Sequence, residues 1–588
     1  MYLIRYIHIF LTLFCLFFSC LSSYEVQFIG IPNEKVQKII SSVSQLEKLK
    51  ANPPETILRL KQRVEADMSN ILEGLHSLAY YGAKVDFSIK NDGHLIVIKI
   101  ETGPVYPLAD YQIHYTQNGT SLDHPPIPIT LENLKIYIGE PALPEVILAS
   151  EEALLDKLNL QGFAFASIKK RDALANQNEK NVVVLIDVEI GPLTYFGPLT
   201  ITGAERLSKN FFYKKLKWRE DDLYDPIKVE KTQEALELTG LLRSVTITHA
   251  EQPESVNHIP FKLSVVEAKQ RSIGFGVNYN TELGPGITAE WEDRNIRGQG
   301  EKLSFRADIW QIRQEGRLAY LIPEFKSANQ NLIWILDYHH DVTKGFTDST
   351  FSLSAVIEKK LSTHLRVSYG GMYKLIDSRH SDLNGVFNLI QIPLQLRWST
   401  VDNTLDPTEG ITLNLKSIPS LQFIEPQFMY CINTFTGTLY RSLTKDKRHI
   451  IAAKLMLGST IGAGKNEIPP PERFYAGSEN ALRGYNYLTV SPLGRDHKPL
   501  GGRSLFIYSL ELRNKVGKNF GWVAFYEVGN VYFKAYPNLN KPMLQSIGLG
   551  LRYYTPIGPL RFDIAFPLNR RHHVDGPMQV YFSIGQSF

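Results

Sequence analysis

From about Gln270 to the end of the chain the helical period is gone, and apolar residues alternate one by one with small or polar ones. Ile273, Phe275, Val277 and Tyr279 alternate with Ser272, Gly274, Gly276 and Asn278. Near the end Val580, Phe582 and Ile584 alternate with Tyr581, Ser583 and Gly585. A period of two puts one set of side chains on each face of a strand. Roughly 320 residues of this pattern, at about 20 per strand and connection, make on the order of 16 strands. A soluble sandwich of that size is unusual. A membrane barrel has this pattern, apolar outside and small or polar inside. The expectation is therefore a 16-stranded antiparallel transmembrane β-barrel over residues 269–588. The polar runs Thr347-Asp348-Ser349, Asp377 to Asp382 and Thr444 to Arg448 read as breaks between its strands.

Composition is compatible with this and excludes other classes. With 43% apolar and 21% charged residues the chain is neither disordered nor a polytopic helical membrane protein. A mean hydropathy of -0.16 fits a barrel, because lumen-facing residues offset lipid-facing ones. The 29 Tyr and 30 Phe suit aromatic girdles. A net charge of +4, without a long basic block, points away from nucleic acid.

The first 22 residues read as a secretory signal, with Arg5 as a weak n-region and Ile7 to Phe18 as the h-region. Cleavage is expected near Ser22 or Ser23; the alternative is a lipoprotein acylated at Cys20. Removal of Cys15 and Cys20 leaves Cys431 without a disulfide partner.

Between the signal and the barrel a strand, helix, glycine, strand pattern occurs three times. Gly82, Gly162 and Gly240 mark the step, each followed by alternating residues such as Val245-Thr246-Ile247-Thr248. Val229 to Leu238 is the clearest helix candidate of the third unit. The units close on β-rich runs at Leu95 to Ile100, Val182 to Ile190 and Phe261 to Val266. Spacing of about 80 residues indicates whole repeated domains over 23–103, 104–191 and 192–268. A strand, two helices and two strands at this length resemble the POTRA domain, with three unrelated α+β modules as the alternative.

The resemblance becomes specific at Phe474-Tyr475-Ala476-Gly477-Ser478-Glu479-Asn480-Ala481-Leu482-Arg483-Gly484-Tyr485. This is similar to the loop of the BamA/TamA-like outer-membrane assembly family, in which an Arg-Gly-aromatic core folds back into the barrel. Glu511 in Ser-Leu-Glu-Leu and Glu527 in Phe-Tyr-Glu-Val-Gly529 match the acidic positions of two further family motifs. The family has Asp where this chain has Glu527, whose extra methylene can still reach Arg483. Asp406-Pro407-Thr408-Glu409-Gly410 matches a family turn, and Thr555 to Ala565 with the terminal Phe588 resemble the last hairpin.

The resemblance implies a loop lock at Arg483, Gly484, Tyr485, Glu511, Glu527 and Gly529. It also implies a seam at Ile273, Gly274 and Gly276 against Val580, Phe582 and Phe588. The implied location is the outer membrane of a Gram-negative-type bacterium, with the POTRA-like domains periplasmic. Three such units match the TamA branch, so the implied partners are a TamB-like periplasmic protein, unfolded barrel or autotransporter clients, and outer-membrane lipid. Insertion of clients is the favoured function, without nucleotide hydrolysis. A two-partner-secretion-type exporter and a passive channel are the alternatives. No catalysis, cofactor or metal site is expected. Gly462-Ala463-Gly464-Lys465 lacks the Ser or Thr and the helix of a phosphate loop. His339-His340 and His572-His573 lack spaced ligands and read as loop or lumen histidines.

Overall fold

The computed structural model describes residues 24–584 apart from 55, 123, 125, 126, 251–256, 381, 556 and 557. The signal expected at 1–22 and the terminal Phe588 lie outside the described residues. The chain divides into two compact units. One comprises Met1–Thr202, Lys215–Leu236 and Val245–Val265; the other comprises Gly203–Lys214, Glu237–Ser244 and Val266–Phe588.

Before the barrel, three α+β modules share one sheet order, with the closing strand in the centre and the opening strand parallel beside it. The central strands are Leu95–Glu101, Asn181–Glu189 and His258–Glu267. Each holds a buried apolar row, such as Ile96, Ile98 and Ile100, or Val182, Val184, Ile186 and Val188. A parallel pair needs a long crossover, and helices supply it: Glu34–Val43 and Ile57–His76 in the first module, Lys209–Lys215 and Pro226–Glu237 in the third. The second module departs from the two-helix expectation. It has one α-helix, Pro144–Asn159, and a single 3₁₀ turn at Leu131–Leu134. The sequence before that turn carries prolines at 125, 126 and 128, which cannot donate to a helix. Gly162, at φ 94°, ends Pro144–Asn159 in the left-handed region.

From Arg271 to Ile584, seventeen strand segments form one antiparallel sheet. They fill sixteen positions, because Gly385–Gln391 and Leu394–Ser399 both lie between Leu365–His380 and Gly410–Gln422. The interruption falls at Ile392-Pro393, where proline removes a ladder donor. The expected sixteen-position barrel is thus present. Its two faces follow the alternation: in Leu544–Thr555 the side chains of Ile547, Leu549, Leu551 and Tyr553 are exposed, whereas Ser546 and Arg552 are buried.

One of the polar runs expected as breaks is not a break, and a second only overlaps one. Thr347, Asp348 and Ser349 lie within Phe346–Lys360, and Asp377 to His380 are the end of Leu365–His380, with Asp382 in the connection to Gly385–Gln391. They are polar because their strands face a polar interior, and Asp348, Ser378 and His380 are buried there. Thr444 to Arg448 does join two strands, Phe428–Ser442 and His449–Ile461.

The turn carrying Asp406 to Gly410 is organised by Asp402. Its carboxylate accepts from the Thr408 N–H at 2.9 Å, the Glu409 N–H at 3.2 Å, the Thr408 hydroxyl and Lys447 Nζ at 3.2 Å. Burial alone raises a carboxyl's pKa, but these donors outweigh it and hold Asp402 well below the usual carboxylate range. A depressed carboxyl contributes its full stabilisation above the unfolded pKa and loses it as pH falls through the folded one. The Thr408 and Glu409 amides should therefore keep their hydrogen-exchange protection across the pH range where an ordinary aspartate titrates, and lose it in Asp402→Ala at neutral pH. Wild-type protection that fades within that range would contradict this account of the turn.

Candidate functional site: an arginine lock in the barrel lumen

Residues 462–503 join His449–Ile461 to Ser504–Val516. Gly462, at φ 104°, begins this connection as a strand-end turn. Further along, Leu482 and Gly484 flank Arg483 with φ values of 61° and 94°. A left-handed leucine costs on the order of 1 kcal/mol or more. Its burial beside Ala476, Tyr485, Val490, Ile507 and Val531 offsets this. At Gly484 a Cβ would come within 3.2 Å of Ser546 Cβ and 3.3 Å of the Phe566 and Pro567 backbone. Glycine there satisfies both the φ and the close approach.

Arg483 is 0% exposed. Its Nε donates to Glu527 Oε1 at 3.0 Å, its Nη1 to Asp563 Oδ2 at 2.8 Å, and its Nη2 to Glu511 Oε1 and Glu527 Oε1 at 2.7 Å each. The Arg483 backbone N–H donates to Glu527 Oε2 at 2.5 Å. The guanidinium also lies 3.5 Å from the centre of the Phe525 ring, where the ring face attracts a cation. Glu527, in place of the family's Asp, thus holds both the side chain and the backbone of Arg483.

Two of these carboxylates have a second arginine, and a further pair stands beside them. Arg513 Nε donates to Glu511 at 2.8 Å, Arg552 Nη1 to Asp563 at 2.5 Å, and Arg561 Nη2 to Glu479 at 2.8 Å. Four arginines therefore meet four carboxylates, Glu479, Glu511, Glu527 and Asp563. Such a balance is what allows charges to sit out of water, since each buried ion carries a desolvation penalty of several kcal/mol. Gly550 leaves room for this network, because a Cβ there would collide with Asp563 and Arg552.

The neighbours of Arg483 complete the attachment. The Gly484 N–H donates to the Tyr581 hydroxyl at 3.0 Å. The Tyr485 hydroxyl donates to the Gln545 carbonyl at 2.7 Å or to Asn569 Oδ1 at 2.8 Å. The Glu479 N–H donates to Glu282 in the first hairpin of the barrel. Gly529 does not touch Arg483; it faces Ile507 across the ladder, where a Cβ would strike the Phe506 carbonyl.

Sequence reasoning singled out Arg483, Glu511 and Glu527, and the fold brings them together. It missed Asp563, Glu479, Arg513, Arg552 and Arg561 as members of the network. The available signal was alternation: Arg561, Asp563 and Ala565 share one face, and charged residues on the face opposite Phe562 and Phe566 belong to the lumen.

The expected seam residues other than Phe588, which lies outside the described residues, fall on the two strands with one ladder partner each among the described residues. Arg271–Asn280 pairs with Gly284–Asp293, and Gln579–Ile584 pairs with Gly558–Pro567. Among the described residues no ladder joins the two strands to each other, although they approach within 8 Å between Cα atoms. Ile273 and Phe582 face outward, with 68% and 44% of their surface exposed, and Val580 is half-buried. Among the described residues nothing lies closer than 3.5 Å to where a Cβ of Gly274 or Gly276 would be. Neither glycine is sterically required, so their effect is to remove side-chain packing from the strand.

A sixteen-position barrel with apolar outer rows, an inward loop held by a buried arginine, and α+β modules ahead of it define an outer-membrane barrel protein with a periplasmic N-terminal part. The chain belongs to the Omp85 superfamily, whose domain matches residues 295–588, half of the chain. Residues 194–268 match the POTRA family described as surface antigen variable number repeat. The chain is 23% identical to the outer membrane protein assembly factor BamA of Nitratidesulfovibrio vulgaris, covering 86% of this chain and 65% of that one. It is 21% identical to the BamA of Neisseria meningitidis serogroup B, covering 74% of this chain and 61% of that one. It thus spans less than two thirds of the length of either relative. The crystal structure of BamA from Haemophilus ducreyi lacking POTRA domains 1–3 shares the fold, with a TM-score of 0.69 at 17% identity over 81% of this chain and 99% of that one.

Arg483→Ala is expected to leave Glu511, Glu527 and Asp563 short of a counter-ion and to destabilise the folded barrel by about 3–5 kcal/mol. Urea unfolding followed by heat-modifiable gel migration measures this. A loss below about 1 kcal/mol, the range of an exposed ion pair, would show that the lock does not hold the loop.

Proposed function

We propose that this chain inserts unfolded outer-membrane barrel clients, autotransporters among them, through the seam between Arg271–Asn280 and Gln579–Ile584. The observation that carries this reading is that each of these strands has a ladder partner on one side only among the described residues. An unpaired strand edge presents a row of N–H and C=O groups that can template a further strand. In hydrocarbon each unsatisfied backbone group costs several kcal/mol. Pairing with a client strand removes that cost and drives insertion without nucleotide hydrolysis, so no enzymatic step is required. Gly274 and Gly276 ease separation of the edge.

The Arg483 network supports the reading by its placement. Its carboxylates stand on Ser504–Val516, Phe520–Tyr532 and Gly558–Pro567, on the C-terminal side of the seam. The loop can thus brace that side while the first hairpin moves, once the Glu479 N–H to Glu282 hydrogen bond to that hairpin is released. Both relatives are named assembly factors. Outer-membrane lipid and a TamB-like periplasmic protein belong to the same proposal as partners.

Reconstitution in liposomes with an unfolded barrel client tests it. Client folding should be accelerated by the wild-type chain and return to the spontaneous rate when Val277→Cys and Val580→Cys are joined by a disulfide, with recovery on reduction. Solute flux without accelerated folding would favour a channel or an exporter. Acceleration that survives the cross-link would exclude the seam.

A further inference from the structure

Away from the lock, the hairpin formed by Gln330–Val342 and Phe346–Lys360 places Asp341 directly opposite Asp348. Like charges in that position destabilise a sheet, and here both are buried, at 5% and 1% exposure. Arg313 neutralises one of them, with Nε and Nη2 donating to the two Asp341 oxygens at 2.6 and 2.5 Å. Among the described residues Asp348 has no such partner. Its Oδ2 accepts from the Thr350 hydroxyl at 2.9 Å, and its Oδ1 is buried without a hydrogen bond among the described residues.

His339 stands on the same face, two residues before Asp341. Its Nδ1 lies 3.3 Å from Asp337 Oδ1, and its Nε2 lies 3.8 Å from Asp348 Oδ2. The second distance is too long for a hydrogen bond. A carboxylate on one ring nitrogen fixes the tautomer and leaves the lone pair of the other free, an arrangement typical of metal-binding histidines. One ligand atom from each of His339, Asp341 and Asp348 lies within 4.8 Å of the other two. Among the described residues the guanidinium ion-paired within this cluster is that of Arg313, on Asp341, while Arg317 stands directly opposite Asp337.

We propose that His339, Asp341 and Asp348 form a binding site for a divalent transition metal of the Zn²⁺ class in the barrel lumen. One imidazole nitrogen and two carboxylate oxygens suit such an ion. With bonds of about 2.1 Å, a tetrahedral arrangement sets ligand atoms about 3.4 Å apart, so the widest pair draws in by at most roughly 1.4 Å. Asp341 can keep Arg313, because each carboxylate oxygen has a second lone pair. The ion would give the Asp348 carboxylate a cation and balance the facing carboxylates.

Co²⁺ titration of the full chain without a histidine tag, folded in detergent, tests the site through the visible bands of the bound ion. One Co²⁺ per chain should bind and be displaced by Zn²⁺. His339→Ala and the near-isosteric Asp348→Asn should abolish the bands. Asp337→Asn should weaken binding about 10- to 100-fold. His340→Ala should change nothing, since its Nδ1 lies 2.9 Å from the Ser349 hydroxyl outside the cluster. Heat-modifiable migration confirms that each variant is folded, and if His339→Ala does not fold, Asp348→Asn and Asp337→Asn decide. Absence of stoichiometric bands, or bands that persist in folded Asp348→Asn, overturns the proposal.

Discussion

Hydrocarbon offers no hydrogen bonds, and most of this barrel is arranged around that fact. Each strand pairs with the next from Arg271 to Ile584, and even the interruption at Pro393 is bridged, with both flanking segments laddered to the same neighbours. Against this background the two terminal strands stand out, each with a ladder on one side among the described residues. The same demand that makes the wall regular makes an unpaired edge reactive toward another strand.

Inside the wall the governing cost is that of charge away from water. Arg483, Arg513, Arg552 and Arg561 are among the most deeply buried large side chains of the protein. They are tolerable because carboxylates from three strands and from the loop itself meet them one for one. A buried pair of this kind is weak evidence for net stability but strong evidence for specificity, because a misplaced loop would strand several charges at once. Small residues on the lumen face, Ser546, Gly548 and Gly550, leave the space that Phe525 and Asp563 occupy.

How far these features were legible in the sequence varied with their range. The Arg-Gly-Tyr motif was visible because the contiguous run Phe474 to Tyr485 resembles a family loop, and Glu511 and Glu527 stood in stretches that resemble two further family motifs. Asp563 was harder to assign. It lies 80 residues from Arg483, and alternation says that it faces inward without saying what it meets. Asp348 was misread for a related reason: a run of Thr, Asp and Ser suits a turn and a polar lumen equally well.

The change of period near Gln270, the apolar alternation after it and the repeated strand, helix, glycine, strand pattern before it were sufficient by themselves to point to a membrane barrel preceded by repeated α+β modules. These are properties of neighbouring residues, and a strand's two faces are set by its own sequence. Which inward side chains meet was decided by the tertiary structure alone. Strand register and the path of residues 462–503 bring Arg483 to three carboxylates on different strands, and place Asp341 across from Asp348. Those pairings depend on the closure of the whole sheet, a long-range constraint that no local pattern encodes.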